Sequence, residues 1–339
     1  MNKPQGFDLV ERARALAPLI THDADEIERT RRLTPAVTQA LIENGLYRAL
    51  LPKSLGGTEA PLEAFMQMQE EIAKSDASTA WCLGQCSVCA MVAAYLEPEA
   101  ANEIFNVAPG ILAWGAIAHE VTAVPGGYLA SGRWDFASGS RQASWLGAHV
   151  RGVGADGTPR RKADGSLEIR TILFPATDAT MYDVWDVIGL KGTGTDSYSV
   201  DNLFIPEKFS ALRDDLTAVR ETGTLYKLTT NMVYSMGFAA TSLGVAPVWR
   251  RNSRSRWRGP MPSRSARSLT DARSSKPSLI SRMARPTVER VPLQAGLPGA
   301  VSGRQRRQGR KPARSAAAAD GKNTTFSDRA GRTGQIGRQ

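Results

Sequence analysis

The chain has 339 residues with 43 Lys+Arg against 33 Asp+Glu, but the charge is not evenly spread. Residues 247–339 hold 22 basic and 4 acidic residues, 19 of the basic ones Arg, which leaves 21 basic and 29 acidic residues in 1–246. No single argument from the net charge of +10 covers both parts, and the absence of a charged-then-apolar leader and of a spread cysteine framework argues against a secreted, disulfide-held fold.

The predicted elements run as follows. Residues 8–31 place Leu9, Ala13, Leu16 and Ile20 at helical spacing. Thr34-Pro35 is a helix start, a capping hydroxyl followed by Pro in the first turn, and Asn44-Gly45 is the matching stop. A helix is predicted from Leu62 to Lys74. Asp76 then caps a long Ala-rich helix, whose uncharged run Ala77–Leu96 reads as a buried central helix rather than a membrane span. Pro98 opens a short helix that ends at Phe105.

The period then changes. Ile111–Ala118 reads as a strand, and Glu120–Val124 and Tyr128–Ser138 flank the turn Pro125-Gly126-Gly127. Further strands are predicted over Ser144–Val153, Glu168–Phe174, Met181–Trp185 and Ser197–Ile205. Helix returns over 224–246 with Leu225, Leu228, Met232, Met236, Ala239 and Leu243 on one face. The expected architecture is α+β. Its domains are an N-terminal helical domain (1–108), a middle β-barrel or sandwich domain (109–212) and the start of a C-terminal helical bundle (213–246).

Residues 247–339 hold too few large apolar side chains to bury a core, with Leu, Ile, Val and Phe numbering 11 together. Clustered Arg suits a nucleic-acid arm, yet no RGG, RS or aromatic unit repeats. Reading a GC-rich gene out of frame yields Arg, Ser, Pro, Ala and Gly in this mixture. The tail is therefore expected to be a frameshifted or disordered, non-homologous segment that replaces the rest of a truncated bundle and has no specific nucleic-acid partner.

Few motifs carry chemistry. Cys82, Cys86 and Cys89 have the spacing of an iron–sulfur motif, but lie on one stripe of an Ala-rich helix. They are expected to be packed thiols in a reducing cytoplasm, with no metal site. His22 is expected to be solvated and His149 half-buried in a strand. His119, expected at the end of the first strand, is the candidate proton donor. Gly189–Thr195 lacks the Gly-Lys-Ser/Thr order of a phosphate loop. The segment Gly132–Ser140 (GRWDFASGS) is the candidate site for a planar ligand: aromatics give a wall, small residues allow close approach, and hydroxyls offer hydrogen bonds.

The order helices, β-block, helices, the helix start Asp76-Ala77-Ser78-Thr79-Ala80-Trp81, the strand GRWDFASGS and the segment from Trp185 to Pro206 together resemble the acyl-CoA dehydrogenase superfamily over residues 1–246. FASGS and GLKGTGT are most similar to its branch of reduced-flavin-dependent, two-component monooxygenases. The resemblance implies FAD or FMN, with Phe136 beside the flavin ring and Ser138 at flavin N5. Trp114, Gly139 and Ser140 complete the implied cofactor site. It further implies a flavin reductase as partner, a small aromatic or related organic substrate, a cytoplasmic homotetramer and no membrane. Two other readings are an FAD-dependent acyl-CoA dehydrogenase and an inactive truncated product with a nonspecific basic tail. The first is opposed by the absence of a Thr-Glu-Pro-x-Ala-Gly-Ser-Asp motif in Trp114–Thr122.

Overall fold

The structure, a computed structural model, describes residues 8–154, 156–162 and 164–256. Six helices come first: α1 (Asp8–Ala15), α2 (Ala17–Thr30), α3 (Pro35–Glu43), α4 (Leu62–Ala73), α5 (Ala77–Cys89) and α6 (Pro98–Phe105). The helix predicted over 8–31 is two helices broken at Leu16. Pro18 explains the break, because a ring with no N–H cannot continue the hydrogen-bond ladder from the preceding turn.

The caps form as the sequence pattern predicts. The Thr34 side chain accepts from the Val37 amide, and Gly45 adopts the left-handed conformation. At α5 the Asp76 carboxylate accepts from both the amide and the hydroxyl of Thr79, at 2.6 and 2.7 Å. α5 and the 3₁₀ turn after it, Ala90–Tyr95, are almost wholly buried. The stretch Ala77–Tyr95 is apolar and long enough to cross a membrane, and its burial here is that of a core helix.

The β-block is one seven-stranded sheet. Its strands are β1 (Leu112–Val124), β2 (Gly127–Ala137), β3 (Trp145–Val153), β4 (Ile169–Pro175), β5 (Thr180–Tyr182), β6 (Asp196–Pro206) and β7 (Ser210–Ala211). The order is β5-β6-β2-β1-β3-β4-β7, with β1 and β3 parallel and the other pairs antiparallel. Pro125 and Gly126 make the turn between β1 and β2, Gly126 at a φ of 82°. Two strands were expected across 111–124, one ending near His119. Instead β1 is a single strand with an irregularity between Trp114 and Ala118, so His119 sits within it, opposite Val150.

The last element, α7, runs from Thr230 to Arg256, with Pro247 inside it. Two expectations are corrected here. The helix starts later than 224, where a 3₁₀ turn lies, and it continues past Ala246 into residues assigned to the irregular tail. Its buried stripe is also not the one its large apolar residues suggest. Val233, Gly237, Ala240, Thr241 and Gly244 face α4 and α5, whereas Met232 and Leu243 remain 48% and 57% exposed. The reason is closeness: a Cβ on Gly244 would stand 2.5 Å from the Glu70 carbonyl oxygen, and one on Gly237 3.0 Å from the Gln69 side chain. The frameshift and disorder expected of 257–339 fall outside the described residues.

Candidate active site

The site is built where β2 ends against α5. Between Trp134 and Ala137 the pairing with β6 shifts by a residue, and Phe136 adopts a φ of +64°. A bulky residue rarely occupies that region, because its Cβ crowds the backbone. The bulge leaves Phe136 61% exposed while Ala137 and Ser138 are buried. Gly139 follows at a φ of +80°, and a Cβ there would meet the Cys86 sulfur at 2.5 Å, so only Gly allows this approach of the chain to α5.

Ser138 heads a directed line of hydroxyls. Thr193 donates its one hydroxyl proton to the Leu190 carbonyl at 2.9 Å. Thr195, 2.7 Å from Thr193, must therefore donate to it, and Ser138, 2.8 Å from Thr195, must donate in turn. The Trp81 indole N–H donates to Ser138 at 3.1 Å. Ser138 thus has no proton left to offer and one remaining lone pair. Its neighbour Ser140 is buried, and its hydroxyl has no hydrogen-bond partner among the described residues.

Beyond Phe136 lies a cavity of about 500 Å³, within the range of small-molecule sites, between the sheet and α7. Its walls are largely aromatic: Trp114, Phe136, His149, Tyr234 and Phe238. Phe238 stacks on Trp81 at 4.7 Å and 7°, and Tyr234 stacks on Phe238 at 6.1 Å. The guanidinium of Arg213 lies 5.5 Å over the Trp114 ring, and His149 meets that ring edge-on at 5.2 Å. Burial, reinforced by the charge of Arg213, lowers the His149 pKa to about 3, so its imidazole is neutral. A larger hollow of about 700 Å³ lies under Arg170, Lys208 and Arg220 with Glu97 and Glu207. Its charges are of both signs and its only aromatic lining is Tyr95, so the smaller cavity suits a flat organic ligand better.

Of the residues singled out in the sequence, Trp114 and Phe136 share this cavity. Ser138, Gly139 and Ser140 lie behind it against α5. His119 is not brought to it. Its ring packs edge-on against Trp134 at 5.2 Å, and its Nε2 is 2.6 Å from the Arg133 carbonyl oxygen. The strand end expected to carry it toward a sheet mouth does not exist. The imidazole that does face the cavity is that of His149. Sequence reasoning also missed Arg213, Tyr234 and Phe238; no local motif marks them, because they meet Trp114 and Trp81 only through the packing of α7 on the sheet and α5. The three thiols do not converge. Cys82 bonds to the Thr193 carbonyl and Cys89 to the Tyr234 hydroxyl, and burial pushes both pKa values up to about 12.

Residues 8–105 match the family model for the acyl-CoA dehydrogenase N-terminal domain. Indole-3-acetate monooxygenase from Pseudomonas putida is 33% identical over 172 residues, covering 50% of this chain and 42% of that protein. The flavin-dependent monooxygenase oxygenase subunit HsaA of Rhodococcus jostii is 29% identical over 248 residues, covering 70% of this chain and 62% of that one. The chain therefore spans about half the length of these curated relatives. Among solved structures, XiaF from Streptomyces, in complex with FADH2 and glycerol, superposes with a TM-score of 0.67 at 27% identity, covering 76% of this chain and 65% of that one. Over residues 8–105 the chain is similar to the acyl-CoA dehydrogenase N-terminal domain, and the fold that continues from them is the one shared by the flavin-dependent monooxygenases.

Proposed function

We propose that the chain is the oxygenase component of a two-component flavin monooxygenase, using reduced FMN or FAD from a separate cytoplasmic reductase to hydroxylate a small aromatic substrate. The observation that carries this reading is the state of Ser138. With its proton committed to Thr195 and one lone pair to Trp81, the hydroxyl can only accept from a ligand. A reduced flavin carries N–H at N5 and meets that demand; an oxidised flavin, whose N5 is itself an acceptor, does not. The aromatic cavity beside Phe136 fits a planar group and an aromatic substrate together, and the relatives named for flavin and for indole-3-acetate support the same assignment.

In this reading Phe136, Ser138 and Gly139 hold the flavin, and Trp114 and Phe238 wall the substrate. Bound there, the reduced flavin supplies the electrons with which dioxygen delivers one oxygen atom to the substrate ring and the other to water. The protein's part is to orient and to exclude water. The Trp81–Phe238 stack shields Ser138 on the α7 side, and the hydroxyl line anchored at Leu190 keeps the Ser138 proton from rotating into the site. His149, held neutral, neither adds charge nor attracts water to the aromatic wall.

The test is an anaerobic titration of the full chain with reduced and oxidised FMN and FAD, followed by mixing with air and an aromatic acid or phenol. Reduced flavin is expected to bind roughly tenfold or more tighter than oxidised, the worth of about one mismatched hydrogen bond. Ser138→Ala is expected to narrow that gap and to raise the hydrogen peroxide released per molecule of product. Equal binding of the two redox states would remove Ser138 from the role. No binding of either, by a protein with a native melting transition, would overturn the flavin reading.

A further inference from the structure

The cavity's polar donors define its ligand more narrowly than its rings do. Among the described residues Arg213 is the only formally charged one lining it, and its side chain is 15% exposed. Its Nε donates to the Thr171 hydroxyl at 3.4 Å, and its Nη1 donates to Asp214 at 2.7 Å and to the Thr230 hydroxyl. No hydrogen bond of Nη2 is made among the described residues, so its two N–H groups are unspent. Asp214 does not line the cavity. It is turned to the start of α7, where it accepts from the amide and hydroxyl of Thr230, both at 2.7 Å.

Thr171 links the arginine to the imidazole. Its hydroxyl accepts from Arg213 Nε and lies 3.0 Å from Nδ1 of His149, a contact in which either group can donate. Nε2 of His149 has no hydrogen-bond partner among the described residues. One end of an aromatic-walled cavity therefore offers the two free N–H groups of a guanidinium edge, with no carboxylate among its described lining residues to answer them.

We propose that this cavity takes a small aromatic acid, its ring against Trp114 and Phe238 and its carboxylate on Nη2 of Arg213. The assignment rests on the cavity's being the substrate site of the function proposed above. A carboxylate supplies the acceptors that the Nη2 N–H groups lack, and a charge-assisted bond away from bulk water is stronger than a neutral one. A phenol of the same shape offers the guanidinium edge only a neutral acceptor, and an ammonium is repelled by it.

Phenylacetate, phenylacetamide and phenethylamine, alike in shape and different in charge, test this by calorimetric titration of the full chain at neutral pH, first without flavin and then with reduced FMN. The acid is expected to bind roughly tenfold or more tighter than the amide, and the amine to bind least. Arg213→Gln is expected to erase the preference and Arg213→Lys to keep part of it. Because Arg213 also bonds to Thr171 and Thr230, the wild-type ligand series decides the matter even if a variant fails to fold. Equal binding of acid and amide to the wild type would overturn the proposal. So would displacement of phenylacetate by an equal concentration of inorganic phosphate, which would make the site one for any small anion. A preference for the acid in a chain that binds no reduced FMN would keep the anion site and reject the flavin function; FMN binding with no acid preference would do the reverse.

Discussion

α5 and α7 border the same cavity and are built on opposite terms. α5 is enclosed on nearly every side, so Ala80 and its Ser and Cys residues are all interior, and its start is fixed by Asp76. α7 touches its neighbours only along Val233, Gly237, Ala240, Thr241 and Gly244, and its larger apolar side chains stand outside that seam. The two helices meet at Gln69 of α4, which is buried, bonds to the Thr241 hydroxyl at 2.8 Å, and lies against both Gly84 and Gly237. A helix can thus be anchored by its smallest residues, and apolar periodicity alone then points to the wrong face.

The strongest way to break this comparison is to fill the seam. Gly244→Leu puts a side chain where even a Cβ would stand 2.5 Å from the Glu70 carbonyl, and overpacking of that kind is expected to cost about 3 kcal/mol, read from urea unfolding. An effect below about 0.5 kcal/mol would mean that α7 is not held by this seam. Between the helices, His149 gives a pH probe. Its folded-state pKa lies below that of the unfolded chain, so its contribution is complete above about pH 6.5 and is lost as pH falls toward about 3. Within that window the wild type is expected to lose up to about 1.4 kcal/mol per pH unit more than His149→Gln does. Parallel acid losses in the two proteins would show the imidazole to be already accessible to protons.

Smaller effects sharpen the contrast. Asp76→Ala removes two bonds at the start of α5 and is expected to cost about 1 kcal/mol, with the helix core unchanged. On the outward face of α7, Met232→Gln and Leu243→Gln are expected to change stability by less than about 0.5 kcal/mol. A loss above about 1 kcal/mol at either position would show that this face is covered in solution.

Much of the fold was legible in the sequence, because local chemistry dictates it. Thr34-Pro35, Asp76 and Pro98 start helices, and Pro125-Gly126 can only turn. The rest depends on partners distant in the chain. Gly237, Ala240 and Gly244 carry no hydrophobic signal, so the seam of α7 was read from the larger residues beside them. His149 differs from any half-buried strand residue only through Thr171 and Arg213, and His119 lost its expected place because β1 continues through an irregularity that no residue type announces.

Phe136 puts a strained backbone into the proposed flavin wall. Glycine would occupy its left-handed backbone without crowding, and such a replacement relaxes a non-glycine residue by about 1 kcal/mol. The ring that faces the cavity is thus held against the preference of its own backbone. A search for heat-resistant variants of this chain would be drawn to Phe136→Gly, and the hardier protein it returned would have lost one side of its cavity.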